Sequence, residues 1–166
     1  MSESQVLQGG CLCGKIRYTI TGNSPEEAPE PICNIICHCA NCKKATGTHM
    51  ANTSMFRREQ LTLILGTPGA YEDRNTESGN ILTRRFCKDC GSPLYITTLK
   101  AGSIVAVPSG TLDDATKWWK PNTEVYMDTK SHWLPELPVL KKEGILERHR
   151  RAPVDENGFG SQTPQG

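Results

Sequence analysis

The sequence lacks a strong net charge, long apolar runs and abundant aromatic side chains. Its 19 lysines and arginines nearly balance 18 aspartates and glutamates, which leaves a formal net charge of +1, and aromatic residues make up only 6% of the 166 residues. Because basic runs interleaved with aromatic residues are also absent, we do not expect the chain to bind nucleic acid or an anionic membrane. A hydrophobic content of 36% suits a soluble globular protein with a modest core.

No segment approaches the ~18 consecutive apolar residues that a membrane span requires. The first residues, MSESQVLQGG, lack the basic start and the apolar run of a secretory signal. These absences predict a cytoplasmic protein, in a compartment where glutathione and thioredoxin keep thiols reduced. The eight cysteines therefore need an explanation other than disulfide bonds.

Short alternating segments predict a mainly β fold. Lys15–Gly22 shows the pattern most clearly, because its apolar residues alternate with polar neighbours. Further strands are predicted in PICNIICHC, EQLTLILG, ILTRRFC, SPLYITTL, AGSIVAVPSG and TEVYMD. Helical turns are predicted only in KKAT, after Cys42, and in DDATKW. One domain is expected over residues 1–151, followed by a polar tail, residues 152–166, with the composition of a disordered segment.

Four cysteines in two distant pairs have the spacing of a closed zinc site. Cys11 and Cys13 form a C-x-C pair, and Cys87 and Cys90 form a C-x-x-C pair in the tight turn CKDCG. Such short loops present two sulfurs to one metal ion, and four thiolates complete the tetrahedron that zinc prefers. The pairs therefore predict a structural zinc that ties the first strand to a late hairpin.

Three more cysteines and a histidine lie within six consecutive positions of NIICHCANCKKATG. Cys37, Cys39 and Cys42 supply three thiolates, and three protein ligands with an open fourth position are typical of a reactive zinc. Cys33 could close this site as a fourth ligand, or it could be a buried thiol outside the site. His38 could coordinate the metal, but an orientation away from it is favoured. A redox role for CANC is disfavoured, because the βαβ context of such motifs is absent.

Six residues after or beyond this cluster are candidates for substrate binding. They are Lys43, Lys44, Thr46, Gly47, His49 and Arg85. The segment ATGTHM is expected to line the pocket of the second zinc, and the three cationic side chains could bind carboxylates of an anionic substrate. Each cation could equally be an ordinary surface charge. His49 could move a proton, or it could be a loop histidine with no chemical role.

The motifs GGCLCGKIRY, CHCANCKKATG, RRFCKDCGSPLY and GTLDD occur in this order between Gly9 and about Trp133. In their order and cysteine spacing they resemble the glutathione-dependent formaldehyde-activating enzyme family, which includes centromere protein V-like proteins. The resemblance implies stacked antiparallel sheets with zinc-knuckle hairpins. It implies a structural zinc on Cys11, Cys13, Cys87 and Cys90, and a second zinc on Cys37, Cys39 and Cys42.

The named activity of that family joins formaldehyde to glutathione and gives S-hydroxymethylglutathione. The resemblance thus implies a zinc-dependent carbon–sulfur lyase with two Zn²⁺ per chain, glutathione as co-substrate, and an aldehyde or other carbonyl compound as the second substrate. Two alternatives stay open: a non-catalytic, zinc-stabilised binding or chaperone module, and a lyase or dehydratase of a larger carbonyl metabolite. A homodimer is compatible with all three.

Overall fold

Strands dominate the part of the chain that the structure describes. The computed structural model describes residues 6–24, 26–100, 102–137 and 147–149. The strands are β1 Leu7–Gly10, β2 Arg17–Ile20, β3 Cys33–Cys37, β4 Ala51–Arg57, β5 Leu61–Leu65, β6 Gly69–Asp73, β7 Leu82–Phe86, β8 Pro93–Thr98, β9 Ile104–Pro108, β10 Thr123–Val125 and β11 Glu147–His149. The α-helices are α1 Ala40–Thr46 and α2 Ala115–Trp118.

The strands form two sheets. A three-stranded sheet has the order β1-β2-β5, and an eight-stranded sheet has the order β11-β10-β3-β4-β9-β8-β7-β6. Pairing is antiparallel throughout, except that β10 runs parallel to both β3 and β11. The predicted fold class, mainly β with stacked sheets and cysteine-bearing hairpins, is confirmed.

The main core is made by apolar residues from both sheets. Tyr18 and Ile20 of β2 are fully buried in one cluster with Phe56 of β4, Leu94 of β8 and Val105 of β9. Because side chains alternate between the two faces of a strand, Tyr18 and Ile20 point inward together. The sheets are therefore held together by burial of these inward faces.

A second, smaller core lies around the central cysteines. Ile35 of β3 and Val125 of β10 are buried together with Ala51, the first residue of β4. Cys37 and Cys39 belong to the same cluster. The loop that carries these cysteines is thus backed by an apolar layer.

Several predicted elements are confirmed, and one ends earlier than expected. The strand predicted in TEVYMD stops at Val125, because Tyr126 adopts a left-handed conformation with φ 60° and a 3₁₀ turn follows over Met127–Thr129. The helix predicted after Cys42 begins sooner, at Ala40, and ends where Gly47 has φ 68°. Sequence patterns did not indicate β4, in which the polar residue Ser54 is fully buried.

The predicted tail over residues 152–166 lies outside the described residues, and the single domain over residues 1–151 stays a prediction. The two described α-helices contain seven and four residues. These lengths are far below the ~20 residues with which a helix crosses a bilayer.

Candidate metal centres and an adjoining cavity

The structure brings the two distant cysteine pairs together. The sulfur atoms of Cys11, Cys13, Cys87 and Cys90 all lie within 4.8 Å of one another. The first pair follows β1, and the second pair occupies the turn between β7 and β8. Although Cys13 and Cys87 are separated by 74 positions in the chain, their sulfurs are only 3.7 Å apart.

Both pairs have the backbone geometry of a zinc knuckle. Gly14 donates its N–H to the Cys11 carbonyl at 3.1 Å, and Gly91 donates to the Cys87 carbonyl at 2.9 Å. Both glycines have positive φ, 76° and 73°, a conformation that other residues adopt at a cost. The pairs are also joined directly, because the Leu12 N–H donates to Ser92 Oγ at 3.0 Å.

The sulfur geometry of this four-cysteine site fits zinc. A tetrahedron with zinc–sulfur bonds of about 2.3 Å has sulfur–sulfur edges of about 3.8 Å. The Cys11–Cys13 and Cys13–Cys87 distances are 3.5 and 3.7 Å. Hydrogen bonds from the side chain and backbone of Ser92 lower the pKa of Cys90 to about 5. Further thiolates beside it would repel one another, so a full set of four thiolates requires a cation at the centre.

The second cluster is the three-cysteine centre, formed by Cys37, Cys39 and Cys42. Their sulfur atoms also lie within 4.8 Å of one another. Cys37 is the last residue of β3, Cys39 caps α1, and Cys42 lies in the first turn of that helix. The cap is formed by the Cys39 sulfur, which accepts a hydrogen bond from the Cys42 N–H at 3.3 Å.

The thiols of this centre differ in pKa. Hydrogen bonds from Cys37 and Cys39 lower the pKa of Cys42 to about 3, and the charge and hydrogen bond of Arg84 add to the effect. Hydrogen bonds with Cys39 and Cys42, together with burial, raise the pKa of Cys37. A single thiolate is therefore stable at Cys42, whereas three adjacent thiolates need a divalent cation to balance them. The donor set suits zinc, which binds deprotonated thiols strongly.

Cys33 and His38 lie outside this group of sulfurs. Cys33 is the first residue of β3 and Cys37 the last, which places them about 13 Å apart along an extended strand. His38 is completely buried, with Nε2 2.6 Å from Glu124 Oε1. Its backbone N–H donates to the Val125 carbonyl at 3.1 Å. The side chain of His38 thus faces the sheet, while its neighbours on either side face the centre.

A cavity of about 560 Å³ adjoins the three-cysteine centre. Cys42 lines it, whereas Cys37 and Cys39 are buried and do not. The remaining walls come mainly from α1, β4, β6, β7 and β8. The larger apolar lining residues are Tyr71, Phe86, Leu94, Tyr95 and Ile96, and the charged ones are Lys44, Asp73, Arg84 and Arg85. Three cations against one carboxylate give the cavity a positive excess, which favours an anionic ligand.

Three of the predicted substrate residues line the cavity, namely Lys44, Thr46 and Arg85. The Nε atom of Arg85 is buried and has no hydrogen-bond partner among the described residues. A buried donor without a partner is uncommon in folded proteins.

The other three predicted substrate residues do not line the cavity. Lys43 donates from Nζ to the Thr129 carbonyl at 2.7 Å. Gly47 ends α1 in a left-handed conformation. His49 pairs its Nδ1 with Ser131 Oγ at 3.0 Å, and its ring stands edge-on to Trp133 with the centroids 4.9 Å apart.

Sequence reasoning missed the polar cluster on the cavity wall. Asp73 of β6 accepts hydrogen bonds from Arg84 of β7 and from Asn41 of α1. Burial by itself raises the pKa of Asp73, but hydrogen bonds from these two partners outweigh it and hold the pKa below its ordinary value. The only sequence signal was the Arg84–Arg85 pair before the CKDCG turn, and nothing in the sequence linked Arg84 to Asp73.

Comparisons with known proteins identify one matching family model and a similar solved structure. Residues 6–129 match the family model described as glutathione-dependent formaldehyde-activating enzyme. A search of curated proteins finds no match. Among solved structures, the chain is similar to a crystal structure of a Rhodobacter sphaeroides protein, with 19% sequence identity and a TM-score of 0.48. That similarity covers 64% of this chain and 87% of the other.

Proposed function

The chain belongs to the glutathione-dependent formaldehyde-activating enzyme family, and from that premise we propose that it is a zinc-dependent carbon–sulfur lyase of thiol–aldehyde adducts. The observation that carries the proposal is the position of the three-cysteine centre. Its outermost sulfur, Cys42, forms part of the wall of a cavity with a positive excess. A metal with only three protein ligands at such a wall is accessible to a thiol in the cavity.

The two clusters would have different tasks. Cys11, Cys13, Cys87 and Cys90 would hold a structural zinc, and Cys37, Cys39 and Cys42 would hold the second zinc. When bound, the second zinc supplies a Lewis acid that keeps a thiol in its thiolate form at neutral pH. Because both clusters need reduced thiols, we place the protein in the cytoplasm.

The cavity residues would bind and orient the substrate. Glutathione carries carboxylates, and Lys44 and Arg85 are the lining cations free to bind them, since Arg84 is paired with Asp73. Thr46 would add a hydroxyl at the same wall. Lys43, Gly47 and His49 would support the site by fixing α1 and the loop that follows it. In the forward reaction the thiol sulfur bonds to the carbonyl carbon, and the thiol proton ends on the carbonyl oxygen.

The test is exchange between formaldehyde and its glutathione adduct, followed by exchange NMR with and without the zinc-loaded protein. We expect the native protein to accelerate exchange and Cys42→Ser to abolish the acceleration. Cys33→Ser is the matched control, because Cys33 lies on the strand that ends at Cys37 but outside the group of sulfurs. Equal activity of the two variants would contradict the assigned role of the three-cysteine centre.

A larger carbonyl substrate is the second candidate. A cavity of about 560 Å³ with aromatic walls has far more room than formaldehyde needs. The same assay with larger aldehydes, including aromatic ones, distinguishes the two cases. Saturable glutathione binding without acceleration for any aldehyde would favour the non-catalytic binding module.

A further inference from the structure

One buried carboxylate connects the helix of the three-cysteine centre to a guanidinium group. Arg84 donates from Nε and Nη2 to Asp73 Oδ2, at 2.9 and 2.7 Å. Asn41 of α1 donates from Nδ2 to both oxygens of Asp73, at 2.9 and 3.0 Å, and to the Asn75 carbonyl at 3.0 Å. The side chains of Arg84 and Asp73 are only 12% and 8% exposed, so water and salt screen this pair weakly.

The arrangement brings the guanidinium next to the outermost sulfur. Asn41 immediately precedes Cys42, and Cys42, Asp73 and Arg84 line the same cavity. The Arg84 side chain is also a hydrogen-bond partner of the Cys42 sulfur.

The positive charge of Arg84 matters because the three-cysteine centre with its metal would be anionic. Three thiolates and one divalent zinc carry a net charge of about −1, which disfavours a further anion by Coulomb repulsion. A guanidinium that donates to one thiolate offsets this charge and fixes the orientation of the sulfur toward the metal. Asp73 accepts two hydrogen bonds from the guanidinium and so holds it in place.

We propose that Arg84 is a positioning residue that lets the three-cysteine centre bind an anionic thiol. Its guanidinium, oriented by Asp73, offsets the negative charge of the Cys42 thiolate. This proposal rests on the proposed function for its substrate, but it concerns the metal centre itself. It assigns to Arg84 a task different from that of Arg85, which is proposed above to bind a carboxylate of the substrate.

Cobalt substitution provides the test, because sulfur-to-cobalt charge-transfer absorption reports each thiolate bound. We compare native protein, Arg84→Gln, Arg84→Lys and, as control, Arg74→Gln, whose arginine forms an exposed pair with Glu72. In competition with a chelator, the three-cysteine centre of Arg84→Gln should bind cobalt roughly 10- to 100-fold more weakly than the same centre of the native protein. Arg84→Lys should recover part of the loss, and the four-cysteine site should retain its cobalt in every variant.

Ligand titrations separate this role from simple substrate contact. Glutathione and 2-mercaptoethanol bind as thiolates, whereas imidazole binds as a neutral ligand. Arg84→Gln should weaken both thiols and leave imidazole unchanged. If glutathione alone is weakened, Arg84 contacts a carboxylate of the ligand and the proposal is overturned. The proposal is also overturned if Arg84→Gln matches native protein in cobalt retention and thiol binding.

A second variant covers the case in which Arg84→Gln fails to fold because Asp73 loses its cationic partner. The double variant Arg84→Gln/Asp73→Asn removes both charges and should still show weakened cobalt retention and thiol binding. Native behaviour of the double variant would refute the proposal. Cobalt retention and thiol binding are measured independently of turnover. If the native protein is inactive but the variants show the expected losses, only the proposed lyase function is contradicted. If the native protein is active but the variants show no such losses, only the role of Arg84 is contradicted.

Discussion

At the scale of single residues, the most consequential group beneath the three-cysteine centre is Glu124. Its side chain is fully buried, with Oε1 2.6 Å from His38 Nε2 and 3.3 Å from Lys130 Nζ. Burial by itself raises the pKa of Glu124, but hydrogen bonds from His38 and Lys130 outweigh it and lower the pKa. Because His38 separates Cys37 from Cys39, this carboxylate fixes the loop that carries two of the three sulfurs.

Replacement of this carboxylate should destabilise the protein. Glu124→Ala leaves Lys130 and His38 buried without their acceptor, and removal of one partner of a buried pair costs about 3–5 kcal/mol. Urea unfolding of the zinc-loaded protein measures the loss. Glu72→Ala removes the partner of exposed Arg74 and should cost about 0–1 kcal/mol. A loss no larger for Glu124→Ala than for Glu72→Ala would show that the buried pair contributes little.

The same residue predicts a dependence of stability on pH. The pKa of Glu124 is lower in the folded protein than in the unfolded chain. Its contribution is therefore complete above its ordinary pKa of about 4.3 and is lost as the pH falls through the lower folded value. The free energy of unfolding should fall more steeply below about pH 5 in native protein than in Glu124→Gln. Parallel curves for the two proteins would contradict this prediction.

At the scale of elements, the position of the first knuckle depends on how closely β1 approaches β2. Gly9 of β1 faces Tyr18 of β2, and a Cβ on Gly9 would lie 2.5 Å from the Tyr18 ring and 2.6 Å from the Thr111 carbonyl. Tyr18 is fully buried, and its hydroxyl pairs with Thr111 Oγ1 at 2.7 Å. Neither contact can move cheaply, so β1 lies close to its neighbours only because residue 9 has no side chain.

Gly9→Ala should therefore be destabilising. Forcing an extra methyl group into a packed site costs about 1–3 kcal/mol, and the shift of β1 should also loosen the four-cysteine site two residues later. Gly110→Ala is the matched control, because a Cβ at Gly110 meets no atom within 4 Å. Thermal unfolding and zinc retention are measured for both variants. The packing argument fails if Gly9→Ala behaves like Gly110→Ala.

At the scale of the whole molecule, the two cysteine clusters differ in what they connect. The four-cysteine site links the segment after β1 to the turn between β7 and β8, and so joins the three-stranded sheet to the larger one. The three-cysteine centre is local, since all its ligands lie within six consecutive positions. Loss of the first site should therefore affect the fold, whereas loss of the second should mainly affect chemistry.

Two cysteine variants test this division. Native protein should contain two zinc ions per chain by elemental analysis. Cys87→Ser should lose one zinc and unfold at markedly lower denaturant concentration, because zinc binding to the closed site contributes to folding. Cys39→Ser should also lose one zinc but retain more of the native stability, while its exchange activity disappears. Equal losses of stability in the two variants would refute the division.

What the sequence determined by itself was local in origin. A C-x-C or C-x-x-C turn brings two sulfurs together whatever the rest of the chain does, so the two pairs and the local group of three could be identified from spacing, whereas the meeting of the two pairs depends on the fold. Alternation identified β2 for the same reason, because the two-residue period is a property of the strand itself, and glycine or proline at the segment ends helped to identify β5 and β9. The motif order was also enough to indicate the family.

Only the tertiary structure decided which side chains complete the site. Arg84 reaches Asp73 because the register of the β6–β7 hairpin and the approach of α1 bring them together. The extended path of β3 places Cys33 away from the other sulfurs, and the burial of His38 follows from the parallel pairing of β3 with β10. Such contacts depend on register and on the packing of distant segments, which leave no periodic trace in the sequence.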